Sequence, residues 1–268
     1  MKNKQDKKKV NNNDTNIDDN VKPVKEKKKI KFNKALFLKI IYYFTLISFI
    51  IPIAFLIYKI IVTDENEIVD GLSRSREDYI LMLIQCLLGA VVIHIPAIFQ
   101  KKLHMEIPTF LYVFYIIFLY CAIFLGEVRN FYYVVPYWDS ILHSFSAVML
   151  GLFGFIVVDF LNRGFTKSVS LRPIFVAVFA LCFAMTVGVL WEIYEFSVDG
   201  IFKSNMQKYI TADGTVLVGH QALTDTMKDL ILDFVGSFVG SAIGFVSILK
   251  RGKKKDKVNE ATVEEAHN

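Results

Sequence analysis

Hydrophobic positions fall into six long runs separated by short polar stretches, and both ends of the chain are polar. The runs cover 36–62, 80–99, 108–125, 141–161, 173–191 and 230–249. A helix crossing a bilayer needs about 20 mostly apolar residues, so each run has the length of one span. Only helices and closed barrels satisfy their backbone in lipid. Runs of continuous apolar character, without period-two alternation, predict helices. The expected fold is an all-α, polytopic integral membrane protein with about six transmembrane helices.

The ends read differently. Residues 1–34 are dominated by Lys, Asn and Asp, a composition that cannot bury enough apolar surface to offset chain entropy, so a disordered basic tail is expected there. Residues 250–268 open on Lys250, Arg251 and Lys253–Lys255 and then turn acidic. Between them, 35–249 forms the transmembrane domain. The net charge of +5 resides in these tails. It argues for attraction of the tails to anionic lipid headgroups and against a nucleic-acid partner. The first run is too long for a cleaved signal and contains Lys39, so it reads as a retained anchor. Cys86, Cys121 and Cys182 all lie inside apolar runs, which speaks against a disulfide framework or a zinc ribbon.

Loop charges set an orientation. Lys101 and Lys102, then Arg163, Lys167 and Arg172, share the basic side with both tails. The alternate loops are acidic; residues 63–79 carry six Asp or Glu against Arg74 and Arg76. The positive-inside rule places both termini on the cytoplasmic side of the membrane. Asp139 and His143 then start span 4 from outside, Glu192 and Glu195 end span 5, and Asp229 and Asp233 lead into span 6. All six lie near the outer surface.

Helical phase strengthens that grouping. At 100° per residue, Asp225, Asp229, Asp233, Gly236, Gly240 and Gly244 share one face of span 6. Asp139, His143, Ala147, Gly151 and Gly154 share one face of span 4. Ala184, Gly188, Glu192, Glu195 and Asp199 do likewise on span 5. Small residues let helices approach closely in lipid, which predicts tight contact of spans 4, 5 and 6 below an acidic pocket.

Charge inside a membrane is costly, and such residues are functional candidates by default. A histidine with several carboxylates suits a divalent metal ion, so Asp139, His143, Glu192, Glu195, Asp229 and Asp233 form the candidate metal set. His143 and Glu192 are the catalytic candidates if the site performs chemistry. The competing reading makes these groups solvated helix ends, with Asp139 and Asp225 as N-caps. Three functions remain open: a cation-binding membrane component with an envelope lipid or protein partner, a metal-dependent hydrolase or transferase acting on a lipid-linked or envelope substrate, and a cation- or proton-coupled transporter. The inner halves of spans 4 to 6 show small residues but no second polar layer, which weighs against the transporter.

Other polar residues carry blander readings. His94 beside Pro96 is expected to be packed, His104 solvated, and Asp159 with Arg163 a surface pair. Tyr132–Trp138 reads as an aromatic belt. The segment 196–224 is long for a loop, which suits a lid or a partner-binding element, with a small hairpin around 209–218.

The ordered set Asp139-x3-His143, Trp191-Glu192-x2-Glu195, Asn205-Met206-Gln207 and Asp225-Thr226-x2-Asp229-x3-Asp233-x2-Gly236 resembles the YjdF-type family of predicted bacterial inner-membrane proteins. The resemblance covers about 126–244, and VanZ-like membrane proteins are more distantly similar. It implies a multi-pass architecture in a bacterial plasma (inner) membrane and brings no established activity with it.

Overall fold

The structure is a computed structural model that describes residues 33–63, 67–69, 72–163, 170–211 and 214–267. The N-terminal tail before Asn33, Asp64, Glu65, Asp70, Lys167 and the Ala212-Asp213 turn lie outside the described residues. The chain divides into two units, 1–34 and 35–268, and everything below belongs to the second.

Among the described residues, six helices are long and apolar enough to cross a membrane. The first is α1 (Lys34–Val62), followed by a ribbon of two three-residue strands, β1 (Glu67–Val69) and β2 (Leu72–Arg74). Next comes α2 (Arg76–Val92), and α3 (Ile95–Lys102) continues the same span. The third span combines α4 (Thr109–Leu119) with a π-helical segment, Tyr120–Val128. A single turn, α5 (Phe131–Val134), leads to α6 (Trp138–Arg163). The last two spans are α7 (Pro173–Phe202) and α8 (His220–His267).

Local chemistry explains several boundaries. Ser75 starts α2 with a reciprocal capping box: its Oγ accepts from Asp78 N, and Asp78 Oδ2 accepts from Ser75 N at 2.7 Å. Such a cap contributes about 1 kcal/mol. The second apolar run breaks at His94 because Pro96, at the head of α3, has no N–H to extend the helical ladder. Helix α8 begins ten residues before the apolar run it contains, and α7 continues past its own to Phe202. Hydropathy marks where a helix meets lipid, whereas backbone hydrogen bonding decides where it ends.

Helices α6, α7 and α8 pack most closely. A Cβ on Gly151 would lie 2.9 Å from Ser237 O, and one on Gly240 would collide with the Val148 carbonyl. The backbones of α6 and α8 therefore touch, as the stripes of small residues predict. The other spans interlock through larger groups. Leu56, Tyr79, Met82 and Cys86 form one buried cluster, and Phe49, Ile93 and Leu119 form another. Tyr115 Oη donates to Val92 O at 2.6 Å, and Tyr42 Oη meets His94 Nδ1 at 2.8 Å. At the same end of the molecule as Lys101 and Lys102, Arg163 pairs with Asp159 (2.7 Å) and Glu106 (3.0 Å) on an exposed surface. Arg163 holds the Glu106 carboxyl below the usual carboxylate range.

Candidate functional site

The polar cluster is assembled from the first two turns of α6 and from matching depths of α7 and α8. The chain enters α6 through Pro136 and Tyr137, the latter at φ +59°, so Asp139 falls in the first helical turn. His143 lies one turn deeper on the same face. Glu192 approaches from α7, and Asp229 and Asp233 from α8.

His143 is the hub, with only 6% of its surface exposed. Its Nδ1 lies 3.3 Å from Asp233 Oδ1. Its Nε2 lies 3.8 Å from Glu192 Oε1 and 3.9 Å from Asp139 Oδ1. The latter two are too long for hydrogen bonds. They fall within the roughly 4.2 Å that two donors each about 2.1 Å from one ion can span. With Nδ1–H donating to Asp233, the Nε2 lone pair faces the other carboxylates, an arrangement common to metal-ligating histidines. Ligand atoms of Asp139, His143 and Asp229 all lie within 4.8 Å of one another.

Several oxygens here have no hydrogen-bond partner among the described residues: both of Glu192, both of Asp229 and Oδ2 of Asp233. Asp229 is 1% exposed and Glu192 is 5% exposed. Buried carboxylate oxygens are costly unless a cation, a proton or a donor reaches them. The donor set of one imidazole nitrogen and several carboxylates fits a divalent ion.

The structure separates the six candidates. Five surround His143 or are His143 itself. Glu195, a turn further along α7, accepts a 3.0 Å bond from Trp191 Nε1 instead and makes no ion pair with His143. Asp199, expected on the same acidic stripe, turns to the following loop. Its Oδ1 accepts from Ser204 Oγ (2.7 Å) and Met206 N (2.8 Å), and its Oδ2 from Gln207 N (2.9 Å). Neither Asp139 nor Asp225 serves as an N-cap, because α6 begins at Trp138 and α8 at His220. His220 stands at the head of α8.

Residues 203–211 form a folded strap. Asn205 bonds both the N–H (2.8 Å) and the carbonyl (2.6 Å) of Ile210, and Gln207 Nε2 donates to Thr226 Oγ1 on α8. Ile210 pairs with Val216 in an antiparallel bridge, within the hairpin expected around 209–218. Lys208 Nζ donates to Asp139 Oδ2 at 2.6 Å. Burial alone lowers the Lys208 pKa, but Asp139, Asp225 and Glu195 outweigh it and hold the ammonium above the usual lysine range. Burial, with Glu127, Asp139 and Glu195 nearby, pushes the Tyr132 hydroxyl well up. The length of 196–224 marked an element of its own, but not its anchoring, which Asn205, Met206 and Gln207 supply through these bonds. The sequence offers Lys208 as one of four basic residues on that side, with Arg129, Lys203 and Lys228, and its spacing does not single it out as the partner of Asp139.

A helical membrane domain of six spans, with a histidine and carboxylates buried at one end of three of them, defines an integral membrane protein class. The chain belongs to the family described as "Predicted membrane protein (DUF2238)", whose profile matches residues 41–250. That match takes in the first three spans, which the YjdF-type resemblance left out. An uncharacterized protein of Thermotoga maritima is 31% identical over 140 residues, covering 51% of this chain and 62% of the relative. The chain thus spans less than two thirds of that relative's length. No solved structure matches.

Proposed function

We propose that this membrane protein binds a divalent cation between α6, α7 and α8, on the extracytoplasmic side of a bacterial inner membrane. The carrying observation is the ring of buried carboxylate oxygens without donors around His143 Nε2. His143, Asp139 and Asp229 are the nearest ligand set, with Glu192 beside them and Asp233 holding the ring. The basic tails then lie in the cytoplasm near anionic headgroups, and the acidic end faces outward. One imidazole with carboxylates favours Zn²⁺ or Mn²⁺ over Ca²⁺. Metal analysis of the purified protein tests this. Near-stoichiometric metal in the wild type, lost in His143→Ala and reduced in Glu192→Gln, is expected; equal metal in all three overturns it.

A second reading is favoured by Asp139, which faces both His143 and a separate cavity lined by Glu195 and Lys208. A cation-dependent hydrolase or transferase acting on an envelope lipid would use such a junction. A bound ion there supplies Lewis acidity to a substrate oxygen. His143 and Glu192 are then the groups placed to hold or move a proton. The close contact of Gly151 and Gly240 with the opposing backbones beneath the cluster weighs against a transport path.

A further inference from the structure

Beside the cation cluster, a cavity of about 760 Å³ is lined by α2, the π-helical segment, α7 and the strap. That volume is typical of a site for one small molecule, about 300–1,000 Å³. From Asp78 to Val92, both of which line it, the cavity descends about 21 Å along α2 at 1.5 Å per residue. Its upper part is polar and roofed by the strap; its lower part is walled by Leu88, Val92 and Phe118. Leu88 on α2 and Trp191 on α7, both lining it, are 45% and 43% exposed. Leu88 lies mid-span, where an opening of the cavity would meet the bilayer.

The polar part holds groups whose hydrogen bonding is incomplete, although the Arg74 guanidinium also lies 5.9 Å from the centroid of the Tyr79 ring. Arg74 is 7% exposed, and the only hydrogen-bond acceptor at its guanidinium among the described residues is the thioether of Met82, at 3.1 Å. Lys203 at the rim makes no ion pair among the described residues. Asn130 and Gln85, 6% and 8% exposed, each keep a side-chain carbonyl oxygen without a donor. The cavity's carboxylates, in contrast, are already engaged. Asp78 has Ser75 N, Glu127 has Gln85 Nε2, Asp139 has Lys208 and Glu195 has Trp191. A buried guanidinium without an oxygen acceptor calls for a phosphate or carboxylate. The orphaned amide oxygens below it call for hydroxyl donors. The apolar foot calls for a hydrocarbon chain.

We propose that this cavity binds a single-chain lipid with a phosphate head and a hydroxyl group. The phosphate sits at Arg74 and Lys203, the hydroxyl at Gln85 and Asn130, and the chain along Leu88 and Phe118. The π-helical segment supplies Ile123 and Glu127 to the wall, and such irregular turns recur at functional sites. Asp139 lines the same space, so the lipid head lies next to the cation cluster. Its reaction there rests on the cation reading; its binding does not.

The test uses delipidated full-length protein in detergent and measures binding by native mass spectrometry. The probes are palmitoyl-lysophosphatidic acid and monopalmitoylglycerol, which share chain and hydroxyl and differ by the phosphate. One lysophosphatidic acid per chain is expected, with monopalmitoylglycerol at least tenfold weaker. Arg74→Gln should weaken the phosphate probe about tenfold and leave monopalmitoylglycerol unchanged. Leu88→Trp, which fills the lateral opening, should weaken both, and it decides the matter if Arg74→Gln does not fold. Equal binding of the two probes, or full binding by Leu88→Trp, overturns the proposal. Farnesyl phosphate, which carries chain and phosphate and no hydroxyl, is the third arm: weaker binding than lysophosphatidic acid is expected, and equal or tighter binding overturns the hydroxyl position at Gln85 and Asn130. His143→Ala should bind the phosphate probe as wild type does, so loss of the cation and loss of the lipid are separate results.

Discussion

Lys208 Nζ lies 2.6 Å from Asp139 Oδ2, a contact across 69 residues that pins the strap after α7 to the first turn of α6. The same carboxylate turns its other oxygen toward His143. Asp139 is therefore shared between a fixed ammonium and the cation cluster.

A neighbouring positive charge opposes a bound cation, so Lys208→Met should raise Mn²⁺ affinity roughly tenfold by calorimetry. That is a modest share of the about 4 kcal/mol that unit charges 4 Å apart exchange at an effective dielectric of 20. Unchanged or weaker affinity would show that Asp139 is not a ligand. The folded Lys208 pKa lies above its unfolded value. Its contribution to strap stability is thus complete below about pH 10.4 and is lost only as pH rises through the folded value. Amide protection of 204–208, corrected for intrinsic exchange, should stay flat between about pH 6 and 9.

Asp233 positions the His143 ring from α8, and Gly188 on α7 leaves room for it. A Cβ at Gly188 would collide with the Asp233 carboxylate. Gly188→Ala should displace that carboxylate and lower metal affinity about 10–100-fold, the usual effect of removing a support behind a ligating histidine. Gly240→Ala, which presses on Val148 instead, should cost about 1–3 kcal/mol of stability as overpacking does. Its metal affinity per folded molecule should hold. Equal metal affinity in Gly188→Ala and wild type would detach Asp233 from the site.

Asp199 holds the strap through three accepted bonds. Hydrogen bonds to a charged group contribute about 1.5–3 kcal/mol each and do not add fully. Asp199→Ala should therefore raise hydrogen exchange at Met206 and Gln207 by about two orders of magnitude, while α6 and α8 stay protected. Unaltered exchange at those amides would mean that other bonds hold the strap.

The orientation has a direct check. In a variant with Cys86, Cys121 and Cys182 replaced by Ala, Val218→Cys should react with a membrane-impermeant maleimide in intact cells. Arg251→Cys should react only after lysis. Both sites are exposed in the fold. The reverse labelling pattern would put both termini outside.

Much of this is legible in the sequence. The apolar runs gave the helix count because a bilayer sets span length. The i, i+4 rows gave the contacts of α6, α7 and α8, since small residues permit backbone approach and carboxylates seek a polar interior. The helix ends were not legible, because hydropathy stops at the lipid boundary while α7 and α8 continue beyond it. The same holds for the break at His94 and the π-helical turn that carries Glu127.

Sequence alone determined which residues share a helix face and which end of the bundle is polar, because both follow from a fixed rotation and rise per residue. It placed Glu192, Glu195 and Asp199 on one stripe and could not divide them. Tertiary structure decided that Glu192 meets His143, Glu195 meets Trp191 and Asp199 anchors the strap. It also decided that Lys208 closes on Asp139 and that a cavity opens beside them. Those outcomes depend on the relative translation and rotation of separate helices, which long-range packing sets and no local periodicity contains.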